Sequence, residues 1–205
     1  MSEVRATKRR RGRPRGGAGD TRERILSAAT AEFAEAGYDG ATMRAIAARA
    51  DVDAALVHHY FGTKADLFGA TIDTPIRPDI AIRTLLNGPL EDLGERIVRF
   101  VLDSWEQADV RRRGLVLLRA GLSSRATAPV LAGFLARELL ERIADRVGTP
   151  DAALRASLAA SQIAGLLVTR YILRLPAMRA ASVDDLVAWL APTVQRYLTG
   201  DQTPS

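Results

Sequence analysis

The sequence contains no cysteine, only two histidines, and 5% aromatic residues in a chain of 205. The absence of cysteine excludes disulfide bonds and thiolate metal sites. No apolar run approaches the roughly 18 residues that a membrane-spanning helix needs, and the N-terminus begins with a basic cluster rather than a secretory signal. We therefore expect a soluble, cytoplasmic protein with no membrane partner.

Basic charge is concentrated at one end of the chain. Residues 1–20 contain seven Lys and Arg against two acidic residues, whereas the remainder contains 22 residues of each sign. The segment 1–19, with "KRRRGRPRGG" at its centre, is predicted to be a disordered arm. Pro14 favours an extended Arg13, and a thin cationic segment fits the minor groove of A·T-rich DNA. Arg11 and Arg13 are therefore predicted DNA contacts, with a solubilising tail as the alternative.

Hydrophobic spacing predicts helices along nearly the whole chain. From Asp20 or Thr21, an apolar stripe through Ile25, Ala29 and Phe33 ends at Gly37, a residue type that terminates helices. No alternating pattern persists long enough to indicate a sheet, so the predicted fold is all-α with about nine helices. Residues 73–89 are either a loop or a broken helix. Three further helices are predicted to begin at the caps Thr42, Asp53 and Thr63. Five more are predicted to cover about 91–107, 110–122, 127–147, 151–174 and 183–199.

The two histidines are adjacent, in "RADVDAALVHHYFGTK". Neighbouring histidines could form a metal site, an acid-base pair or a surface that contacts an anion. Successive helical residues point in different directions, so His58 and His59 cannot clamp one metal ion as residues four apart can. No cysteine or third histidine completes a zinc shell, and no serine or threonine is placed for a catalytic triad. We predict neither a metal site nor a catalytic site.

The same stretch has the spacing of a helix-turn-helix. Ala47 supplies the small residue needed where the two helices cross, and Val57 supplies an apolar anchor in the second helix. Asp51 takes the turn position, which requires a left-handed backbone; glycine is unstrained there, and Asp and Asn are the least penalised alternatives. Asp53 would then cap a recognition helix beginning at Ala54. We accordingly predict a positive φ at Asp51.

This geometry makes specific side chains available to DNA. Small residues at the start of a recognition helix allow deep entry into the major groove, and alanine methyl groups can contact thymine methyl groups. An arginine on the preceding helix can bind guanine or a phosphate. The predicted base-facing residues are Arg44, Ala54, Ala55 and His58, and the predicted phosphate contacts are Thr42, Tyr60 and Lys64.

From Thr21 to Phe68 the sequence resembles the DNA-binding domain of the TetR family of bacterial transcriptional repressors, without a gap. The features that carry the resemblance are Phe33 with Gly37-Tyr38, the helix from Thr42 to Ala47, Tyr60-Phe61, and Lys64 followed by Leu67. Asp51 replaces the family's frequent glycine. The resemblance implies that Thr42, His59, Tyr60 and Lys64 meet phosphates, and that Arg44, Ala54, Ala55 and His58 face bases.

The resemblance also implies an organisation for the whole chain. Residues 20–66 would form the DNA-binding domain and residues 67–205 a helical ligand-binding and dimerisation domain. The last two long helices, Ala152–Leu173 and Val183–Leu198, would pair in a homodimer; the alternative is a core helix of a monomer. We expect Pro192 to kink the last helix or remove one of its hydrogen bonds. The candidate residues of the effector pocket are Trp105, Phe134, Gln162 and Tyr171.

The function predicted from these observations is a transcriptional repressor that a small-molecule ligand releases from double-stranded, pseudo-palindromic operator DNA. No cofactor is expected. A protein that coats DNA with little sequence preference is one alternative, and an all-α enzyme is another. No set of polar residues in the C-terminal half has the spacing of an active site, so the protein is predicted not to be an enzyme.

Overall fold

The computed structural model describes residues 18–200, and within that range the regular elements are all helical, which confirms the predicted all-α fold. Residues 1–17 of the predicted arm, with Arg11 and Arg13, lie outside the described residues, whereas its last two residues, Ala18 and Gly19, belong to the first helix. The helices are α1 (Ala18–Gly40), α2 (Met43–Arg49), α3 (Ala54–Phe61), α4 (Lys64–Thr71), α5 (Pro78–Leu86), α6 (Leu93–Glu106), α7 (Ala108–Ser123), α8 (Thr127–Leu135), α9 (Glu141–Val147), α10 (Ala152–Leu167), α11 (Pro176–Ala180) and α12 (Val183–Thr199).

Several helices differ from their predicted bounds. Helix α1 begins at Ala18, so Asp20 lies in its first turn, where its charge favours the positive end of the helix dipole, and does not cap it. The uncertain segment 73–89 contains α5, with Pro78 at its first position. The predicted turn at Pro176 is instead the start of the short helix α11. The predicted helix 127–147 divides into α8 and α9 around the π-helical segment Ala136–Leu140.

The first of two hydrophobic clusters holds α1–α4 together. The predicted stripe of Ile25, Ala29 and Phe33 is buried in it, and Gly37 ends the regular part of α1 with a φ of 73°. Leu67 and Phe68 of α4 also belong to this cluster, so the predicted domain boundary between residues 66 and 67 falls inside a helix that packs on α1.

The second cluster joins α5, α6, α9, α10 and α12. Helices α6 and α12 cross closely at Gly94, where an added Cβ would lie 2.6 Å from the main-chain nitrogen of Gln195. The main chain of Gly94 in turn donates a hydrogen bond to Oε1 of Gln195 over 2.7 Å. Helix α12 continues through Pro192, which has no N–H to donate within the helix. This packing fixes α12 against α6 over most of its length.

The helix formed by α10 and the π-helical segment Val168–Ile172 is long and apolar enough to cross a membrane by length and composition, although core helices of soluble proteins can pass the same test. Its two buried arginines bind within the protein. Arg155 donates to the carbonyls of Tyr197 and Gly200 at the end of α12. Arg170 donates to the carbonyl of Ala181 over 3.0 Å. The helix is therefore packed into the second domain through both its apolar and its basic residues.

Candidate nucleic-acid interface and effector cavity

The turn between α2 and α3 has the predicted geometry. Asp51 has a φ of 52°, and Ala47 and Val57 are buried at the helix crossing. The main chain of Val52 donates to the carbonyl of Ala47 over 3.0 Å, and that of Asp51 donates to Ala48 over 3.2 Å. These two bonds satisfy carbonyls at the end of α2 in the pattern that requires a left-handed residue just after a helix. The helix-turn-helix prediction is confirmed.

An arginine that no sequence pattern singles out also holds this turn. The guanidinium of Arg24, on α1, donates hydrogen bonds to the main-chain carbonyls of Ala50 and Asp51. The only available signal was a basic residue in the exposed part of α1, which is typical of an ordinary solvated side chain. The contact spans 27 residues of sequence, so no local pattern indicates it.

Helix α3 begins as predicted. The Asp53 carboxylate accepts a hydrogen bond from the main chain of Ala55 over 2.7 Å, so Asp53 is the N-cap. Ala55 is exposed, whereas Ala54 is half-buried against the first cluster. His58 is exposed, and its Nδ1 lies 2.9 Å from the carbonyl oxygen of Gly62. Because that oxygen can only accept, Nδ1 carries the proton and Nε2 is left to bind another group.

The other predicted DNA contacts lie around the two helices. Thr42 caps α2 through Oγ1, which accepts from the main chain of Ala45 over 3.1 Å, and Arg44 is exposed in the first turn of that helix. His59 is exposed, and its ring packs edge-on against Tyr60, with 5.6 Å between ring centroids. Tyr60 itself is half-buried against the first cluster.

Lys64 is less available than its predicted role suggests. Its Nζ donates to the main-chain carbonyl of Asp39 over 3.2 Å and lies 4.7 Å from the centroid of the Tyr38 ring. Burial lowers the pKa of Lys64 from its ordinary value. In this structure Lys64 therefore fastens α4 to the end of α1, and a phosphate would have to share or replace these contacts.

A second candidate site is a cavity of about 480 Å³ in the C-terminal half of the chain, a volume within the usual range for small-molecule sites. It lies between the end of α6, one face of α7, the π-helical segment after α10, and α11. Its lining residues are Glu106, Arg111, Leu115, Arg119, Arg170, Tyr171, Ile172, Arg174 and Arg179.

Of the four predicted pocket residues, one lines this cavity and a second packs behind that residue. Tyr171 lines it, and the Trp105 ring packs on Tyr171 with 5.0 Å between ring centroids. Phe134 is instead fully buried in the first cluster, with its ring 4.8 Å from that of Phe68. Gln162 is half-buried on α10 and is not part of the lining. Arginines make up five of the nine lining residues.

Phe134 and Glu138 connect the two domains. Phe134, on α8, completes the core of the DNA-binding domain, where the ring centroid of Tyr38 lies 5.4 Å away. The hydroxyl of Tyr38 donates to Oε1 of Glu138 over 2.6 Å. Burial and this hydrogen bond raise the pKa of Tyr38. A shift of α8 would therefore act directly on α1 and α4.

Within residues 18–200, no three His, Asp or Glu side chains are grouped so as to hold a metal ion. The cavity has a single carboxylate, that of Glu106, whose Oε1 accepts from Tyr171 over 3.3 Å and from Arg170 over the same distance. Its remaining polar groups are guanidinium donors. The arrangement can bind an acceptor-rich molecule, whereas metal chemistry has no ligand set there.

Comparison with known proteins is consistent with both halves of the structure. The chain is 35% identical over 95 residues to the HTH-type transcriptional repressor Rv3405c of Mycobacterium tuberculosis, covering 43% of this chain and 50% of that protein. It is 40% identical over 62 residues to the HTH-type transcriptional repressor SCO4008 of Streptomyces coelicolor, covering 30% and 32%. The chain thus spans about half the length of the mycobacterial relative it matches.

Among solved structures, the TetR-family regulator SCO0857 from Streptomyces coelicolor is 34% identical, with 91% of this chain and 99% of that chain covered and a TM-score of 0.45. Two family descriptions match successive parts of the sequence. The one for bacterial regulatory proteins of the tetR family matches residues 25–71, and the one for the tetracyclin repressor-like C-terminal domain matches residues 91–198. The chain belongs to the TetR family of bacterial regulatory proteins.

Proposed function

We propose that this protein is a cytoplasmic transcriptional repressor that a small molecule releases from its operator. The observation that carries the proposal is the helix-turn-helix, with its left-handed Asp51 and with Arg44, Ala55 and His58 exposed around it. The relative Rv3405c is named a repressor, which supports repression over activation. The arrangement of α2 and α3 is the one that places a recognition helix in the major groove.

On this proposal the DNA contacts are those predicted from the sequence. Arg44 and His58, with the alanines at the start of α3, would face base edges, and Thr42, His59 and Tyr60 would meet phosphates. Lys64 would join them only by sharing its present contacts with Asp39 and Tyr38. Arg11 and Arg13 would add minor-groove contacts from the arm, with counterion release making their contribution salt-dependent.

A homodimer would present two recognition helices to successive major grooves, roughly 34 Å apart. The dimer is supported by apolar side chains that are exposed on the two helices expected to pair. Leu154 and Leu158 lie one turn apart on α10 and are 62% and 39% exposed, and Trp189 on α12 is 81% exposed. Large apolar side chains left exposed on two helices that pack together are typical of an interface. The occupant we propose is a second copy of this chain.

The proposed effector site is the cavity beside Tyr171. Helix α7 forms one wall of the cavity, and residues 124–126 connect α7 directly to α8, which carries Phe134 into the core of the DNA-binding domain. A ligand that binds better when α7 is displaced would thus reposition the DNA-binding domain. The shift in population would equal its differential affinity for the two conformers.

Footprinting of the full chain on the DNA upstream of its own gene tests this function. We expect a protected site with two half-sites about 10 base pairs apart, centre to centre, or a multiple of that spacing. The same footprint titrated with candidate compounds would identify an effector by loss of protection. Equal affinity for this region and for unrelated DNA would overturn the repressor and favour a DNA-coating protein.

A further inference from the structure

The effector cavity has an unusual charge balance for a site that binds a small molecule. Its lining contains five arginines and one carboxylate, a net formal charge of +4. The arginines come from three parts of the chain: α7, the π-helical segment with the loop after it, and α11. Such convergence of one sign of charge into a concave site attracts ions of the opposite sign.

The single carboxylate is already occupied. Oε1 of Glu106 accepts from Nη2 of Arg170 and from the hydroxyl of Tyr171, each over 3.3 Å. Arg111 approaches the other oxygen of the same carboxylate at 4.0 Å. A cationic ligand would have to displace these partners and would then face the remaining arginines. The cavity is therefore poorly suited to a cation.

Three of the lining arginines are exposed to solvent and lack an acidic partner within residues 18–200. Within residues 18–200, the side chains of Arg119, Arg174 and Arg179 make no ion pair with a carboxylate and no hydrogen bond to the protein. This contrasts with Arg112, also on α7 but outside the cavity, which pairs with Asp109 over 2.5 Å. Donors left free on three walls of one cavity are available to a ligand that supplies acceptors.

The backbone at this site is also irregular. Arg174 has a φ of 55°, a left-handed conformation that is sterically unfavourable for a non-glycine residue. It follows the π-helical segment that carries Arg170 and Tyr171, and π-helical turns recur at functional sites. Strain of this kind persists where the surrounding structure holds it, often beside a ligand.

We propose that the cavity binds an organic anion with a phosphate or carboxylate group, whose apolar part packs on Tyr171, Leu115 and Ile172. This inference rests on the proposed function, since it names the class of the effector. The anion would bridge Arg119 on α7 to Arg174, after the π-helical segment, and to Arg179 on α11. Drawing these walls together moves α7, and through the short connection to α8 it moves Phe134 in the core of the DNA-binding domain.

Isothermal titration calorimetry on the full chain without DNA tests the anion site. The probes share one ring system: 1-naphthyl phosphate, 1-naphthoate, neutral 1-naphthol and cationic 1-naphthylmethylammonium, with inorganic phosphate as the bare anion. We expect one or both naphthyl anions to bind at least about tenfold more tightly than naphthol, inorganic phosphate and the cation, because charge-assisted hydrogen bonds add to ring burial. The two anions separate phosphate from carboxylate recognition.

The double variant Arg119→Gln/Arg179→Gln should weaken binding of the preferred anion about tenfold or more. Neither side chain has a partner to lose within residues 18–200, so folding should be unaffected. The matched control is Arg112→Gln, which removes a charge from α7 outside the cavity and should change affinity less than about twofold. An anion bound equally well by the double variant occupies another basic surface, such as the arm.

Three results would overturn the proposal: naphthol or the cation binding as tightly as both anions, inorganic phosphate binding as tightly as the naphthyl anions, or full binding by the double variant. The footprint separates this failure from failure of the proposed function. If the operator is protected but no anion binds, the anion site is ruled out and the repressor function still stands. If the anion binds but no operator is protected, the anion site still stands and the repressor function is ruled out.

Discussion

The guanidinium of Arg24 donates a hydrogen bond to the main-chain carbonyl of Asp51 over 3.0 Å. This bond ties α1 to the one residue of the helix-turn-helix that has a left-handed backbone. A second bond from the same nitrogen, to the carbonyl of Ala50, fixes the end of α2. Two sets of hydrogen bonds thus hold the turn that sets the angle of the recognition helix: the capping bonds at the end of α2 and the bonds from Arg24 of α1.

Replacing Asp51 with glycine should stabilise the protein by about 1 kcal/mol, because glycine adopts a positive φ without steric cost. The Asp51 side chain is fully exposed, and its carboxylate lies 4.0 Å from Arg24, so its loss removes only a weak surface pair. The free energy of unfolding in urea measures the change. The control is Asp51→Val, a β-branched residue that should destabilise at this φ. A glycine variant no more stable than the parent would show that this backbone is not strained.

The DNA-binding domain was predictable because its determinants are local. The caps at Thr42, Asp53 and Thr63 each bond within three residues, and the turn at Asp51 depends on carbonyls four and three residues earlier. Such features leave direct signals in residue type and spacing. The stripe along α1 was predictable for the same reason, since helical periodicity marks the side that is buried.

The cavity and the contact between domains could not be predicted in this way. Tyr38 and Glu138 are 100 residues apart, and no spacing indicates that they meet. Phe134 was predicted in the pocket because an aromatic residue in an apolar helix fits either a pocket or a core, and only the docking of α8 on α1 decides between them. Arginines on α7 and α11 have the sequence pattern of solvated surface, and only tertiary packing places them around one cavity.

Arg44 should carry sequence preference. Its replacement by alanine should weaken operator binding by about 1–3 kcal/mol, the usual value of a good base contact, while binding to unrelated DNA changes little. Fluorescence anisotropy on the two DNAs measures both affinities. Arg49→Ala is the control, because Arg49 lies on the same helix but pairs with Glu35 and Glu32 of α1. An equal small loss on every DNA for Arg44→Ala would favour the DNA-coating alternative.

The proposed dimer depends on the exposed face of α10. The double variant Leu154→Asp/Leu158→Asp should raise the dimer dissociation constant at least about tenfold, because it would bury two unpaired carboxylates. Sedimentation equilibrium measures this constant directly. Leu122→Asp is the matched control: Leu122 is 70% exposed on α7, outside the proposed interface. A wild-type protein that is monomeric at micromolar concentration, or a double variant that dimerises normally, would rule out this surface.

The hydrogen bond between Tyr38 and Glu138 should stabilise the contact between the two domains. Tyr38→Phe keeps the ring that Lys64 and Phe134 contact and removes only the donor. It should lower the free energy of unfolding by about 1 kcal/mol at neutral pH. Tyr197→Phe is the control, since the hydroxyl of Tyr197 makes no hydrogen bond within residues 18–200.

The same pair of proteins gives a pH test with a definite sign. The pKa of Tyr38 is raised in the folded protein, chiefly by burial and then by the hydrogen bond to Glu138. The unfolded chain therefore loses this proton first, at a pH of about 10, and the stabilisation by Tyr38 is complete below that pH. Above it, the advantage of the wild type over Tyr38→Phe should fall by about 1.4 kcal/mol per pH unit. Lys64 also titrates in this range, but it lies over the ring in both proteins, so its effect cancels in the difference. Urea denaturation of both proteins between neutral pH and pH 11 measures this difference, and a constant value would show that Tyr38 titrates alike in the folded and unfolded states.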